Sequence, residues 1–172
     1  EAGEVYEIAF TDCAATSVAA AVNGGLQFTV LSATGDALGA SLVADDLTVS
    51  WPRGSMGVTG SVEAHRDSLL NGDGSTTLTT RLSAPSLKLE RQTPRRSGSL
   101  SVSALDMTRT SRWMEGVLQS SSFQGSHTVD ASGTRGSISY SVSTQGSTSY
   151  TADGTPSAGA WTLTLPASVL AL

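Results

Sequence analysis

Lysine is almost absent from this chain: Lys88 is the only one in 172 residues, against nine arginines. Cysteine is as scarce, with Cys13 alone, which excludes a small fold stapled by several disulfides. There are two histidines, His65 and His127, and nine aromatic residues. Long apolar runs are missing too. The longest uncharged stretch, Cys13 to Gly35, is broken by Asn23, Gly24, Gly25, Gln27 and several hydroxyl residues. A spanning helix needs about 20 predominantly apolar residues, so no membrane span is expected. The Ala, Glu, Lys and Leu at helical spacing that mark bundles and coiled coils are missing as well.

What the chain has instead is serine (28), threonine (21) and glycine (18). Hydrophobic residues make up 38% and recur with period two, which argues against disorder. In Gly98–Leu105 the apolar positions Leu100, Val102 and Ala104 alternate with serines, and Gly136–Ser143 repeats the pattern with Ile138, Tyr140 and Val142. Similar runs are Val5–Phe10, Leu26–Leu31, Leu42–Trp51, Met56–Ala64, Thr76–Leu82, Ser86–Gln92, Val117–Phe123 and Trp161–Leu165. Turn-forming residues separate them: Asn23-Gly24-Gly25, Thr34-Gly35-Asp36, Pro52-Arg53-Gly54, Asn71-Gly72-Asp73-Gly74, Thr93-Pro94, Gln124-Gly125, Ser132-Gly133, Gln145-Gly146 and Asp153-Gly154. The expected fold is all-β over residues 1–172 as a single domain. It is an antiparallel meander of nine to ten strands, forming a sandwich or an open flattened barrel. One short helix candidate is Ala14–Val22.

The net charge of -5 is unevenly spread. Residues 1–50 carry seven acids and no base, whereas residues 81–112 carry seven bases against Glu90 and Asp106. The basic stretch contains no Phe, Tyr or Trp to stack on bases, so nucleic acid is not the expected partner. Acidic strands meeting basic ones, in the same molecule or the next subunit, is the preferred reading.

No catalytic constellation emerges, and the chain is not expected to be an enzyme or to carry a cofactor or metal. No Gly-x-Ser-x-Gly elbow is present, and both histidines fall in or beside strands, where structural roles are expected. Two histidines 62 positions apart and one cysteine make no zinc spacing. Asn71–Ser75 lacks the alternate carboxylates of a calcium loop and reads as a hairpin turn. Asp45-Asp46 lies within a strand pattern that would send the two to opposite faces. Cys13 reads as a small buried hydrophobe, or alternatively as a thiol for an intermolecular disulfide. A transmembrane barrel would want aromatic girdles that nine aromatics cannot supply. The first residue is Glu1 and the last lie in the apolar run Ala167–Leu172, so both ends read as cut or processed.

Phe10-Thr11-Asp12-Cys13, followed by Val22-Asn23-Gly24-Gly25-Leu26 and later by Pro156-Ser157-Ala158-Gly159-Ala160-Trp161, resembles secreted or lipid-anchored β-meander proteins of Gram-negative bacteria. Such proteins often carry a second cysteine, which this chain lacks. The resemblance implies an extracellular or periplasmic location and carries no activity to transfer. The leading expectation is a non-enzymatic structural or self-assembling protein at the cell surface. It would associate through the terminal strands Val5–Phe10 and Trp161–Leu172 and through the acidic and basic stretches. The alternative is a periplasmic carrier or binding protein whose curved sheet forms an open β-barrel around an apolar ligand, with the sheet face that includes Leu100, Val102, Ile138 and Tyr140 lining the cavity.

Overall fold

Alternation sustained over long runs builds long strands, and two-residue turns between them force antiparallel neighbours. The computed structural model describes residues 1–14 and 20–166. It holds β1 (Val5–Ala14), β2 (Ala21–Ala33), β3 (Ala37–Trp51), β4 (Gly54–Leu70), β5 (Thr76–Thr93), β6 (Arg96–Met114), β7 (Val117–Gly133), β8 (Gly136–Thr144), β9 (Thr148–Tyr150), β10 (Pro156–Ala158) and β11 (Trp161–Thr164). All lie in one open antiparallel sheet of order β1-β2-β3-β4-β5-β6-β7-β8-β11; β9 pairs with the start of β7, and β10 with β9. The expected meander is therefore present, with eleven strands, as an open sheet and not a closed barrel. Among the described residues the elements touch through sheet neighbours, and no second layer packs on the sheet.

The turns at residues 34–36, 71–75 and 115–116 define an upper end of the sheet, and those at 52–53, 94–95 and 134–135 a lower end. Pro52 and Pro94 open their two-residue turns, where a preset φ suits the first corner position. Glu115-Gly116, not anticipated as a turn, joins β6 to β7 with φ of 52° and 79°. Two successive positive φ values give a primed turn that matches strand twist.

Midway along the strands a row of bulges crosses the sheet. An extra residue enters β1 between Phe10 and Cys13, β3 between Ala44 and Leu47, β5 between Ser83 and Leu87, and β6 between Ser103 and Asp106. Asp12, Asp46 and Ala104 at these points have positive φ of 49°, 46° and 51°. Opposite them stand Gly24, Gly60 and Gly125, where added Cβ atoms would lie 2.4, 2.2 and 2.6 Å from the carbonyl oxygens of Asp46, Ser86 and Asp106. These glycines let a bulged neighbour press in. The expected turns at Asn23-Gly24-Gly25 and Gln124-Gly125 are thus corrected: both lie inside strands, as the flat partners of bulges. Pro85 sits within the β5 bulge, where a missing N–H costs no ladder bond, so Thr76–Leu82 and Ser86–Gln92 form one strand.

The bulges also reset side-chain parity. In β3 the apolar set is Leu38, Ala40, Leu42 and Ala44 above the row and Leu47, Val49 and Trp51 below it. On the unbulged β4 it runs unbroken through Met56, Val58, Val62 and Ala64. One face therefore stays predominantly apolar across the bulge row and the other predominantly polar, although the upper end of the apolar face also carries Arg66, Thr80, Arg109 and Ser111. Asp45 and Asp46 are the bulge residues of β3, both exposed.

No helix occurs among the described residues; residues 15–19 of the expected helix lie outside them, and Ala14, Ala21 and Val22 are in strands. Cys13 is exposed, a correction to its expected burial: β1 is an edge strand with no layer over it.

Candidate functional site

Cross-strand partners share a face, so the register assembles the apolar surface row by row. Below the bulges, one row runs Leu47–Val58–Leu89–Leu100–Ala131–Ile138 and the next Leu87–Val102–Val129–Tyr140. Leu100, Val102, Ile138 and Tyr140, expected to share a face, do so. Above the bulges the rows are Tyr6–Phe28–Leu42–Val62 and Val30–Ala40–Ala64–Leu82–Met107. The opposite face carries hydroxyl rows such as Ser86–Ser103–Thr128–Ser141–Thr164 and Ser99–Ser132–Ser137, with hydrogen bonds of 2.8 Å between Ser99 and Ser132 and 2.9 Å between Thr128 and Ser141.

The apolar face is uncovered. Leu38 is 58% exposed and Ile8 50%, and among the described residues only Ala84 and Val129 on this face are buried apolar side chains. The accessible surface is 11017 Å² for 17.5 kDa, where a compact monomer of that mass exposes about 7,900 Å². Patches beyond a few hundred Å² are uncommon on monomers and mark interaction surfaces.

Charge sorts by height on the sheet. Above the bulge row are ten carboxylates against four arginines, with Asp36, Asp73 and Glu115 at the hairpin tips. Below it are six cations against two carboxylates, and the tips carry Arg53, Arg95 with Arg96, and Arg135. Among the described residues no acid of 1–50 pairs with a base of 81–112 within the chain: Arg81 pairs with Asp106 at 2.9 Å, Lys88 with Glu90 at 2.7 Å, and Arg112 with Asp73. Folding back and forth distributes each sequence stretch over both ends, so position along the strand decides the grouping.

At the lower end of the apolar face a hollow of about 360 Å³ opens between β5 and β6, lined by Leu89, Arg91, Thr93, Arg96, Gly98 and Leu100, with Ser97, Ser99 and Ser132 at its rim. It exists because the row Met56–Arg91–Gly98–Gly133–Gly136 ends in three glycines. Arg91 and Arg96 project from the apolar face, and neither has an ion pair among the described residues. Sequence reasoning counted both arginines only as part of a basic stretch. Their shared face was hidden by the turn at Pro94-Arg95, although alternation from Leu89 and Leu100 pointed to it.

Behind this hollow, on the polar face, a second one of about 560 Å³ is lined by hydroxyls, Glu90 and Gln92, and Arg91 and Gly98 border both. A third on the upper polar face holds the Arg81–Asp106 pair. His65 in β4 faces the polar side, 3.9 Å from Glu63, and His127 in β7 the apolar side beside Val142. The two therefore cannot serve one site. Asn71–Ser75 is a hairpin turn: Asp73 accepts from the Ser75 hydroxyl at 2.6 Å and its amide at 3.0 Å and pairs with Arg112. The Ser75 hydroxyl foremost, then its amide, with Arg112 adding, holds the Asp73 carboxyl below the usual range. Among the described residues no three of His, Cys, Asp or Glu are grouped to hold a metal, and no helix is long and apolar enough to cross a membrane.

Compared with known proteins, the chain matches no family model, no curated protein and no solved structure. The site has to be read from its own chemistry.

Proposed function

We propose that this is a non-enzymatic extracytoplasmic binding protein that holds an apolar ligand on the open apolar face of its sheet. The observation that carries the reading is the continuity of that face across the bulge row, with no layer covering it among the described residues. From the sequence alone a self-assembling protein is the leading expectation. Below the bulge row Ser99, Ser101, Ser103, Ser137, Ser139 and Ser141 fall on the polar face, and the apolar residues between them form a continuous surface. That distribution supports a ligand-binding face over a stacked fibre. The location rests on the resemblance to secreted or lipid-anchored β-meander proteins and agrees with a chain rich in serine and threonine with one lysine. Titration of an alkyl ligand followed by tryptophan fluorescence tests the reading, since Trp51 lies on the apolar face. Saturable binding is expected; no binding by any alkyl probe, with no co-purified apolar ligand in native mass spectrometry, overturns it.

Self-assembly is the second reading, and two observations favour it. Among the described residues, no strand pairs with the outer edge of β1 or with the outer edge of β8 over Gly136–Tyr140, and unpaired edges template strand addition. Acidic upper tips and basic lower tips also suit head-to-tail contact. Negative-stain microscopy at low and high salt checks it: fibres or oligomers that dissolve in salt are expected, and monomers at every concentration remove it.

A further inference from the structure

We infer that the lower hollow between β5 and β6 selects an amphiphile with an anionic head, seating the head on Arg91 and Arg96 and the chain along the leucine and valine rows behind them. The inference rests on the binding reading above and adds the ligand's class and orientation. Three features carry it. First, Arg91 and Arg96 line the same 360 Å³ hollow, no carboxylate lines it, and neither arginine has an ion pair among the described residues. Two forked, exposed donors without an ion partner are complementary to phosphate or carboxylate oxygens. Second, Gly98 leaves room for a head group where a side chain would otherwise stand between the arginines and the sheet. Third, Leu89 and Leu100 form the inner wall, and beyond them the Leu87–Val102–Val129–Tyr140 row continues the apolar track toward the bulges.

The upper half offers a useful contrast. Arg66 and Arg109 also stand on the apolar face, in the row Leu38–Arg66–Thr80–Arg109–Phe123. The lower hollow does not include them, and a threonine separates them where Gly98 leaves space below. They are cations of the same kind without the seat.

The test compares dodecyl phosphate with dodecyl maltoside, both below their micellar concentrations, and with inorganic phosphate, by isothermal titration on the whole chain. The variants are the double substitution Arg91→Gln/Arg96→Gln and the control Arg66→Gln/Arg109→Gln, which removes the same charge. Dodecyl phosphate should bind about tenfold tighter than the maltoside, the value of one charge-assisted bond. Arg91→Gln/Arg96→Gln should abolish that preference while leaving maltoside binding intact, and the control should keep it. Equal binding of the two amphiphiles by the native chain overturns the inference and leaves the apolar-ligand reading standing. So does a preference that survives the Arg91/Arg96 double substitution. Inorganic phosphate binding as tightly as dodecyl phosphate also overturns it, because the alkyl chain would then contribute nothing. Failure of both amphiphiles removes the reading on which it rests. A dimer by light scattering that dodecyl phosphate does not dissociate overturns both in favour of a second copy on this face.

Discussion

Above and below the bulge row the sheet uses the same strands and the same alternation, yet the two halves are finished differently. The upper tips are tied down. At β4–β5 the buried Ser75 hydroxyl donates to Asp73 at 2.6 Å and accepts from Asn71 at 2.9 Å and Arg112 at 3.0 Å. At β9–β10 Asp153 accepts from Thr151 and from the Thr155 amide. Trp161 stacks on Phe123 with ring centroids 5.3 Å apart. The lower tips carry arginines with no ion partner among the described residues and a strip of glycine. Hydrogen-bonded turns make a scaffold, and cations without an ion partner beside apolar surface make a receptor. The sheet separates these two jobs along its strands, and substitutions on either side of the bulge row can pull the two apart.

The largest effect should come from the boundary. Gly60 has φ +120°, and its added Cβ would lie 2.2 Å from the Ser86 carbonyl oxygen. Gly60→Ala combines a conformation unfavourable to L side chains with a clash against backbone, on the order of 3 kcal/mol or more. Gly57, three residues away in the same strand, has nothing closer than 3.9 Å and no positive φ. Gly57→Ala should leave the urea midpoint nearly unchanged. If both substitutions behave alike, the bulge row is not what joins the halves.

The second effect belongs to the upper half alone. Ser75 is fully buried and makes four hydrogen bonds through its hydroxyl and amide to Asn71, Asp73 and Arg112. Ser75→Ala leaves Arg112 and Asn71 each short of a partner, about 1–2 kcal/mol by urea titration. Hydrogen exchange should rise at the β4–β5 tip and stay unchanged at the lower turns. Uniform exchange across the sheet would show that the halves are not energetically separable.

How much of this was legible in the sequence depends on the distance over which each signal acts. Alternation is local, so the pattern by itself placed Leu100, Val102, Ile138 and Tyr140 on one face. Proline and glycine turns were legible at Pro52, Asn71–Gly74 and Pro94 for the same reason. Asn23-Gly24-Gly25 and Gln124-Gly125 carried the same chemistry but serve bulges on neighbouring strands. A glycine's need for space is set by what presses on it, and that partner lies 22 residues away at Asp46 for Gly24. Glu115-Gly116 escaped because glutamate is not a usual turn residue, and only its φ of 52° reveals the turn. The hollow was illegible because Arg91 and Arg96 come together through hairpin register, not through proximity in a charge count.

Acid should separate the halves without any substitution. Asp73 and Asp153 are both held below the ordinary carboxylate range, by the hydroxyls of Ser75 and Thr151 first and by backbone amides next. A carboxyl depressed in the folded state contributes stability that is present above its unfolded value and lost as pH falls through its folded one. Both groups lie in upper turns, so the loss begins below the unperturbed aspartate value of 3.8. Hydrogen exchange followed downward from neutral pH should show the β4–β5 and β9–β10 tips opening before the turns at 52–53, 94–95 and 134–135. Simultaneous opening would assign the acid response to net charge over the whole sheet.

The smallest effect should be at the lower tips, and its smallness is informative. Arg53, Arg95 and Arg135 stand in turns, and none has an ion pair among the described residues. Replacing any of them by Gln removes no bond, and exposed substitutions of this kind leave stability within about 0.5 kcal/mol. The urea midpoint should not move, and hydrogen exchange at Pro94-Arg95 should match the native chain. Ligand affinity should fall slightly for Arg95→Gln, because it lowers the positive field beside Arg96 without touching the hollow. Added salt should erase that small difference, since screening acts most strongly between exposed charges. A clear loss of stability instead would mean that these arginines hold the sheet together, and the lower half would then be scaffold like the upper.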